Sequence, residues 1–236
     1  MPRNRQSFTS KGVMEELNLL KSTEYLEGMK RFGINTTSTI TLGISIPKLR
    51  KLSKRIGVDH DLAIHLWNTK VHEAMILAAF IDDPKLVTEE QMERWASDFS
   101  SWDICDAVCG NLFDKTEFAY KTARKWAKEV KEYKKRAGFV LMAELAIHNK
   151  KMQNIEFINF FDLIESESTD ERNFVKKSVN WALRQIGKRN ERLKQESIAL
   201  ALKLSSSESK SAKWIGNNAL YELNNLNKFE KLDGIT

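Results

Sequence analysis

Two segments carry residue types that could do chemistry together. In SSWDICDAVCGNLF, residues 100–113, Trp102 and Asp106 are four apart. A helix there puts an indole and a carboxylate on one face. In KKSVNWALRQIGKRNERLK, residues 176–194, Lys177, Trp181, Arg184 and Lys188 recur at helical spacing and also share a face. Glu191 is the single acid of that stretch, and Lys134, Lys135 and Arg136 form a further basic cluster. Cations neutralise phosphates and release counterions, while flat rings meet bases or sugars, so interleaved basic and aromatic residues suit a nucleic-acid groove. The alternative is a solvated basic face with both indoles in the core, and for Asp106 an interhelical ion pair, Arg136 being one partner to consider.

The elements that must position these residues read as helices. Prolines occur only at positions 2, 47 and 84, so the chain beyond Lys85 has no proline to interrupt a helix. Pro47 suits the first turn of PKLRKLSKRI, which Gly57 then ends. Thr88 with Gln91, and Ser168 with Glu171, have capping-box spacing. Ser100 or Ser101 can cap the SWDICDAVCGNLF helix. Asp103 suits its first turn, and Ile104, Val108, Leu112 and Phe113 form its core stripe. The segment Thr36 to Ile46, TTSTITLGISI, alternates like a strand and is expected to be an extended loop or short hairpin. Trp67, Trp95, Trp126 and Trp214 read as packing residues.

The helices recur as versions of one element. VHEAMILAAFI, SWDICDAVCGNLF, KKRAGFVLMAEL, VKKSVNWALRQIG and SAKWIGNNALYEL are anchored at Glu73, Asp103, Arg136, Lys177 and Trp214, with spacings of 30, 33, 41 and 37 residues. Amphipathic segments such as TEEQMERWASDF, EFAYKTARKWAKEV, IEFINFFDLIE and RLKQESIALALKL lie between them. The expectation is one all-α domain over residues 1–236, a HEAT-like or armadillo-like α-solenoid of stacked antiparallel helix pairs with a concave basic groove. An irregular helical bundle is the alternative. Trp102, Asp106, Arg136 and Trp181 lie on successive equivalent helices and are expected to converge on the concave side.

Bulk properties bound the partner. The chain has 236 residues, a net charge of +6 and a pI near 9.2, which favours an anionic partner, nucleic acid above all. The longest clean apolar run, Ala74 to Ile81, is far too short to span a membrane, and MPRNRQSFTSKG has no apolar secretory core. Cys105 and Cys109, one helical turn apart, are poorly placed for a disulfide and are expected to be small core residues. A cytoplasmic, reduced protein is the simplest expectation.

The ordered set of S-W-D-x-x-D (Ser101 to Asp106), a K-R-A helix start (Lys135 to Ala137) and K-S-V-N-W-A-L-R (Lys177 to Arg184) resembles the bacterial AlkD-like DNA alkylation-repair glycosylases. The resemblance runs from about Gly43 to the carboxyl end. It implies a HEAT-like solenoid that cradles double-stranded, alkylated DNA and excises cationic N3- or N7-alkylated purines without turning the base into a deep pocket, with no cofactor and no metal. It also implies roles. Trp102 and Trp181 match the indoles that face the damaged nucleotide, and Asp106 matches the catalytic carboxylate. Arg136 matches an arginine on a backbone phosphate, and Arg184 a nearby basic contact. Lys177 and Lys188 share the face of Trp181 and Arg184 and join them as DNA-binding candidates. Ser101 stands where the family often carries a further Trp, and Cys105 where an aliphatic residue is common.

Such a purine already leaves as a neutral base, so it needs no proton donor. The positive charge that develops on the sugar is what a fixed carboxylate can stabilise, while indole faces attract cations at ~0.5–2 kcal/mol each. Two other functions compete. One is a non-catalytic binder of damaged or branched DNA on the same groove, and the other a protein-binding helical scaffold.

Overall fold

The computed structural model describes residues 8–34 and 39–225, which fall into two compact units divided between Thr116 and Glu117. The first contains α1 (Ser10–Leu19), α2 (Thr23–Arg31), α3 (Ile46–Ile56), α4 (His60–Asn68), α5 (His72–Ile81), α6 (Glu89–Ser97) and α7 (Trp102–Asn111). The second contains α8 (Ala119–Trp126), α9 (Glu132–His148), α10 (Asn154–Ile158), α11 (Phe161–Glu167), α12 (Asn173–Gly187), α13 (Glu191–Ser205) and α14 (Lys210–Asn224). The described residues contain no β-strand, only a lone parallel bridge between Ile40 and Val71. None of their helices is long and apolar enough to cross a membrane.

The fold is all-α and HEAT-like. In the first unit α4 packs on α5, and α5 packs on α7. In the second, α8 packs on α9, α12 lies against both α9 and α14, and α13 pairs with α14. Side-chain hydrogen bonds reveal the repeat step directly. Trp67 to Asp98, His72 to Asp103 and Glu73 to Leu42 each join residues 31 apart. Arg136 to Phe174, Asn180 to Asn218 and Arg184 to Glu222 each join residues 38 apart. Positions on neighbouring elements therefore touch at a recurring offset within each unit, 31 residues in the first and 38 in the second, as stacked helical repeats require.

Local signals account for most of the boundaries. Pro47 lies in the first turn of α3, where a missing N–H costs nothing, and Gly57 at φ 80° ends that helix. Thr88 caps α6 by accepting from the Gln91 N–H at 3.2 Å. The Gln91 side chain does not complete a capping box; it donates instead to Asp82 at 2.7 Å. Helix α12 buries Val175, Val179, Ala182, Leu183 and Ile186, which seats it between its neighbours. Truncating Leu183 to Ala would cost about 2–5 kcal/mol. Helix α5 is buried at every position but Phe80, and it forms the centre of the first unit. Trp67 and Trp95 stack beside it at 3.9 Å between ring centroids.

Three expectations are corrected. Ser168 does not start a helix; it is the C-cap of α11, and α12 begins after Arg172. IEFINFFDLIE is two short helices rather than one, broken between Ile158 and Phe161. Trp214 is not a packing residue, because it is 39% exposed and its ring lies 5.1 Å from the Lys176 ammonium. Trp67, Trp95 and Trp126 are fully buried, as are Cys105 and Cys109, which form no disulfide.

The segment expected at Thr36 to Ile46 falls partly outside the described residues. From Thr39 to Ser45 it is an extended connection, with no partner strand among the described residues. Its backbone donors are taken by a side chain instead. Glu73, fully buried on α5, accepts from the N–H groups of Leu42 (2.9 Å), Gly43 (2.7 Å) and Ile44 (3.2 Å). Gly43 is required here. Its φ is +74°, and a Cβ would lie 2.2 Å from the Ser22 carbonyl oxygen.

Candidate functional site

The α7 site starts from its first turn. Ser101 is the N-cap residue, but its hydroxyl caps no backbone N–H; it donates to Asp103 Oδ1 at 2.6 Å. Asp103 Oδ2 meets His72 Nε2 at 2.8 Å, and His72 is fully buried on α5. Burial pushes the Asp103 carboxyl up. The hydrogen bond and charge of His72, with the Ser101 hydroxyl, outweigh it and leave the carboxyl below its ordinary range. Asp103 is thus a latch that fixes α7 against α5.

That latch aims the next turn. Trp102 and Asp106 are both half-buried, while Ile104, Cys105, Val108 and Cys109 fill the core behind them. The Trp102 indole N–H donates to the Phe32 carbonyl at 3.0 Å, which fixes one edge of the ring. Trp102 and Asp106 line the same cleft, of about 470 Å³, within the range of small-ligand sites. Its walls are mostly apolar, with Met29, Ile44, Ile76 and Phe80 prominent. Arg50 joins them from α3. Its guanidinium stacks 4.6 Å over Phe80 and donates to Asn111 Oδ1 at 3.1 Å. The cleft thus offers two carboxylates, Asp106 and the Asp103 that His72 and Ser101 engage, with one guanidinium and several rings in apolar surroundings.

The second unit places the other candidates on or beside α12. Lys177 is exposed, Trp181 and Arg184 are half-buried, and Lys188 is exposed at the C-cap, so all four keep the shared face expected of them. The charge of this face is partly answered. Glu222 on α14 pairs with Arg184 and, at 2.5 Å, with Lys188. Burial lowers the Arg184 guanidinium from its ordinary value. Arg136 is only 6% exposed, and its Nη1 donates to the Phe174 carbonyl at 2.7 Å. It therefore anchors the first turn of α12, which carries Lys177 and Trp181. Lys135, beside it, bridges Glu167 at 2.5 Å and Asp170 at 3.4 Å.

The structure brings Trp102 and Asp106 together in one unit, and gathers Lys177, Trp181, Arg184 and Lys188 in the other. Sequence reasoning missed His72 and Glu73 as organisers of the α7 cleft, along with Arg50 and the Phe32 carbonyl. One signal was available. A charged pair inside the apolar helix VHEAMILAAFI must find buried partners, because Glu and His are seldom fully buried otherwise.

Comparison with known proteins gives the same frame. Residues 13–220 match the profile of the family described as DNA alkylation repair enzyme. An uncharacterized protein of Listeria innocua serovar 6a, Lin0241, is 26% identical over 105 residues, which is 43% of this chain and 47% of that protein, so the match spans about half the length of that relative. A solved structure, described as a new family of proteins related to the HEAT-like repeat DNA glycosylases with affinity for branched DNA structures, superposes with a TM-score of 0.76. It is 19% identical, and the superposition covers 92% of this chain and 94% of that one.

Proposed function

Since the chain belongs to the family of DNA alkylation repair enzymes, we propose that it is a DNA glycosylase that removes cationic N3- or N7-alkylated purines from duplex DNA. One observation supports this most: Trp102 and Asp106 line a single cleft and are held there by a latched helix. Alkylation leaves the purine positively charged, so it departs as a neutral base with the electrons of the glycosidic bond. The sugar becomes oxocarbenium-like, and water attacks its anomeric carbon to leave an abasic site. Asp106 stabilises the sugar cation and orients that water. The Trp102 ring favours the charged nucleotide over neutral DNA. On α12, Trp181 contributes a second indole, and Lys177, Lys188 and Arg184 contribute positive charge to the phosphates. Arg136 supports that face by holding Phe174 and contributes its own charge.

The test is release of free base from methylated duplex DNA, read as abasic sites that alkali cleaves. Cleavage above the uncatalysed background is expected.

A second reading, binding of branched DNA without catalysis, is favoured by the description of the solved relative. It predicts tight binding to junctions with no base release in the same assay.

A further inference from the structure

A second cleft, in the second unit, is not used by the chemistry above. Its volume is about 810 Å³, and it forms where α9 and α12 end and α10 and α13 begin. Lys150, Lys188, Arg189 and Arg192 line it, with the amides of Asn154 and Gln185 among its polar groups. No carboxylate is among its lining residues.

The frame of the cleft is built. Arg189 Nη1 donates to the Ala146 carbonyl at 3.0 Å, and its Nη2 to those of Asn149 (2.6 Å) and Met152 (3.1 Å). Its guanidinium also lies 4.6 Å over the Phe157 ring. A cation is thereby fixed at the negative end of α9. Asn190 donates to Asn154 Oδ1 at 2.9 Å and ties the two loops together. Lys150, Lys188 and Arg192 stand exposed around this frame. Glu222 answers Lys188, whereas Arg192 makes no ion pair among the described residues.

Like charges gathered this way repel one another, and an external anion relieves them. The exposed cations are spread along an open cleft, which suits an extended polyanion better than a compact ion. Lys188 belongs both to this cleft and to the α12 face, and Lys177 to Lys188 spans about 16 Å at 1.5 Å per residue. One phosphate backbone can therefore continue from the face into the cleft.

We propose that this cleft is a second contact for the DNA backbone, holding phosphodiesters beyond those met by the α12 face. The inference rests on the DNA-binding reading above. The test is a salt titration of binding to a linear duplex and to a four-way junction, using the full chain and the double variant Lys150→Ala, Arg192→Ala. A Lys150→Gln, Arg192→Gln protein serves if the first melts early. The variant is expected to bind at least one of the two DNAs more weakly, with the log–log salt slope lowered by about 1.8 for two lost phosphate contacts. Unchanged affinity and slope on both DNAs would overturn the inference while leaving the DNA-binding reading intact. Failure of the unmutated protein to bind either DNA would overturn both. If inorganic phosphate or a nucleoside triphosphate raises the melting temperature of the unmutated protein only, with DNA affinity unchanged, the cleft serves a small phosphorylated ligand and the proposal is wrong.

Discussion

Glu73→Gln probes how the α7 cleft is held open and in shape. In the structure both Glu73 oxygens are used. Oε1 accepts from Gly43 and Ile44, and Oε2 from Leu42. A carboxamide keeps one acceptor oxygen and presents an NH2 group to the other donor. Losing a hydrogen bond to a buried charged group costs about 1.5–3 kcal/mol, and the remaining two fall from charge-assisted to neutral strength. The sum is about 3–5 kcal/mol. For a chain of this size that lowers the melting temperature by roughly 6–20 °C, at ~2–4 °C per kcal/mol. Ile44 lines the cleft with Asp106, so loosening its segment should also reduce base release. The assay is thermal melting combined with hydrogen exchange at the amides of Leu42, Gly43 and Ile44. Melting within about 2 °C of the parent, with those amides still protected, would refute the assignment of Glu73 as the clamp of this segment.

Three further outcomes are expected. Asp103 has a lowered carboxyl pKa, so its contribution to stability is present above the ordinary value of 3.8 and is lost as pH falls through the lower folded value. Asp103→Asn should therefore destabilise the protein at neutral pH, with the difference from the parent shrinking as pH falls below 3.8, as chemical denaturation across pH would show. Arg136→Ala should lower the melting temperature through loss of the Phe174 anchor; a simultaneous fall of about 0.9 in the salt slope of DNA binding would show direct phosphate contact as well. Glu222→Gln frees Arg184 and Lys188 from their shared carboxylate and should tighten DNA binding and steepen its salt dependence, measured by fluorescence anisotropy.

The fold was legible because helix and repeat signals are local or periodic. The absence of proline after Pro84, the Thr88 and Gly57 caps, and anchors 30 to 41 residues apart all survive in the structure. What was not legible depended on partners far along the chain. Alternation in the segment ending at Ile46 is a local strand preference, yet its donors are claimed by Glu73, some 30 residues away. Ser168 and Glu171 have the spacing of a cap, but Ser168 is where α11 ends rather than where a helix starts. An indole reads as core by default, and only the placement of α12 beside α14 leaves Trp214 exposed beside Lys176. In the site, the shared faces of Trp102 with Asp106 and of Lys177 with Trp181 follow from helical spacing alone. The Phe32 carbonyl, the His72 latch and the Glu222 pairing do not, since each comes from a different element.

The central claim is that Asp106 stabilises positive charge on the sugar of an alkylated nucleotide. The direct measurement is single-turnover release of an N7- or N3-alkylated purine from duplex DNA by the parent and by Asp106→Asn, with thermal melting as the control for folding. The amide is nearly isosteric and removes only the charge, so DNA affinity should largely persist while the rate falls on the order of 100- to 1000-fold. Equal rates at equal stability would contradict the claim.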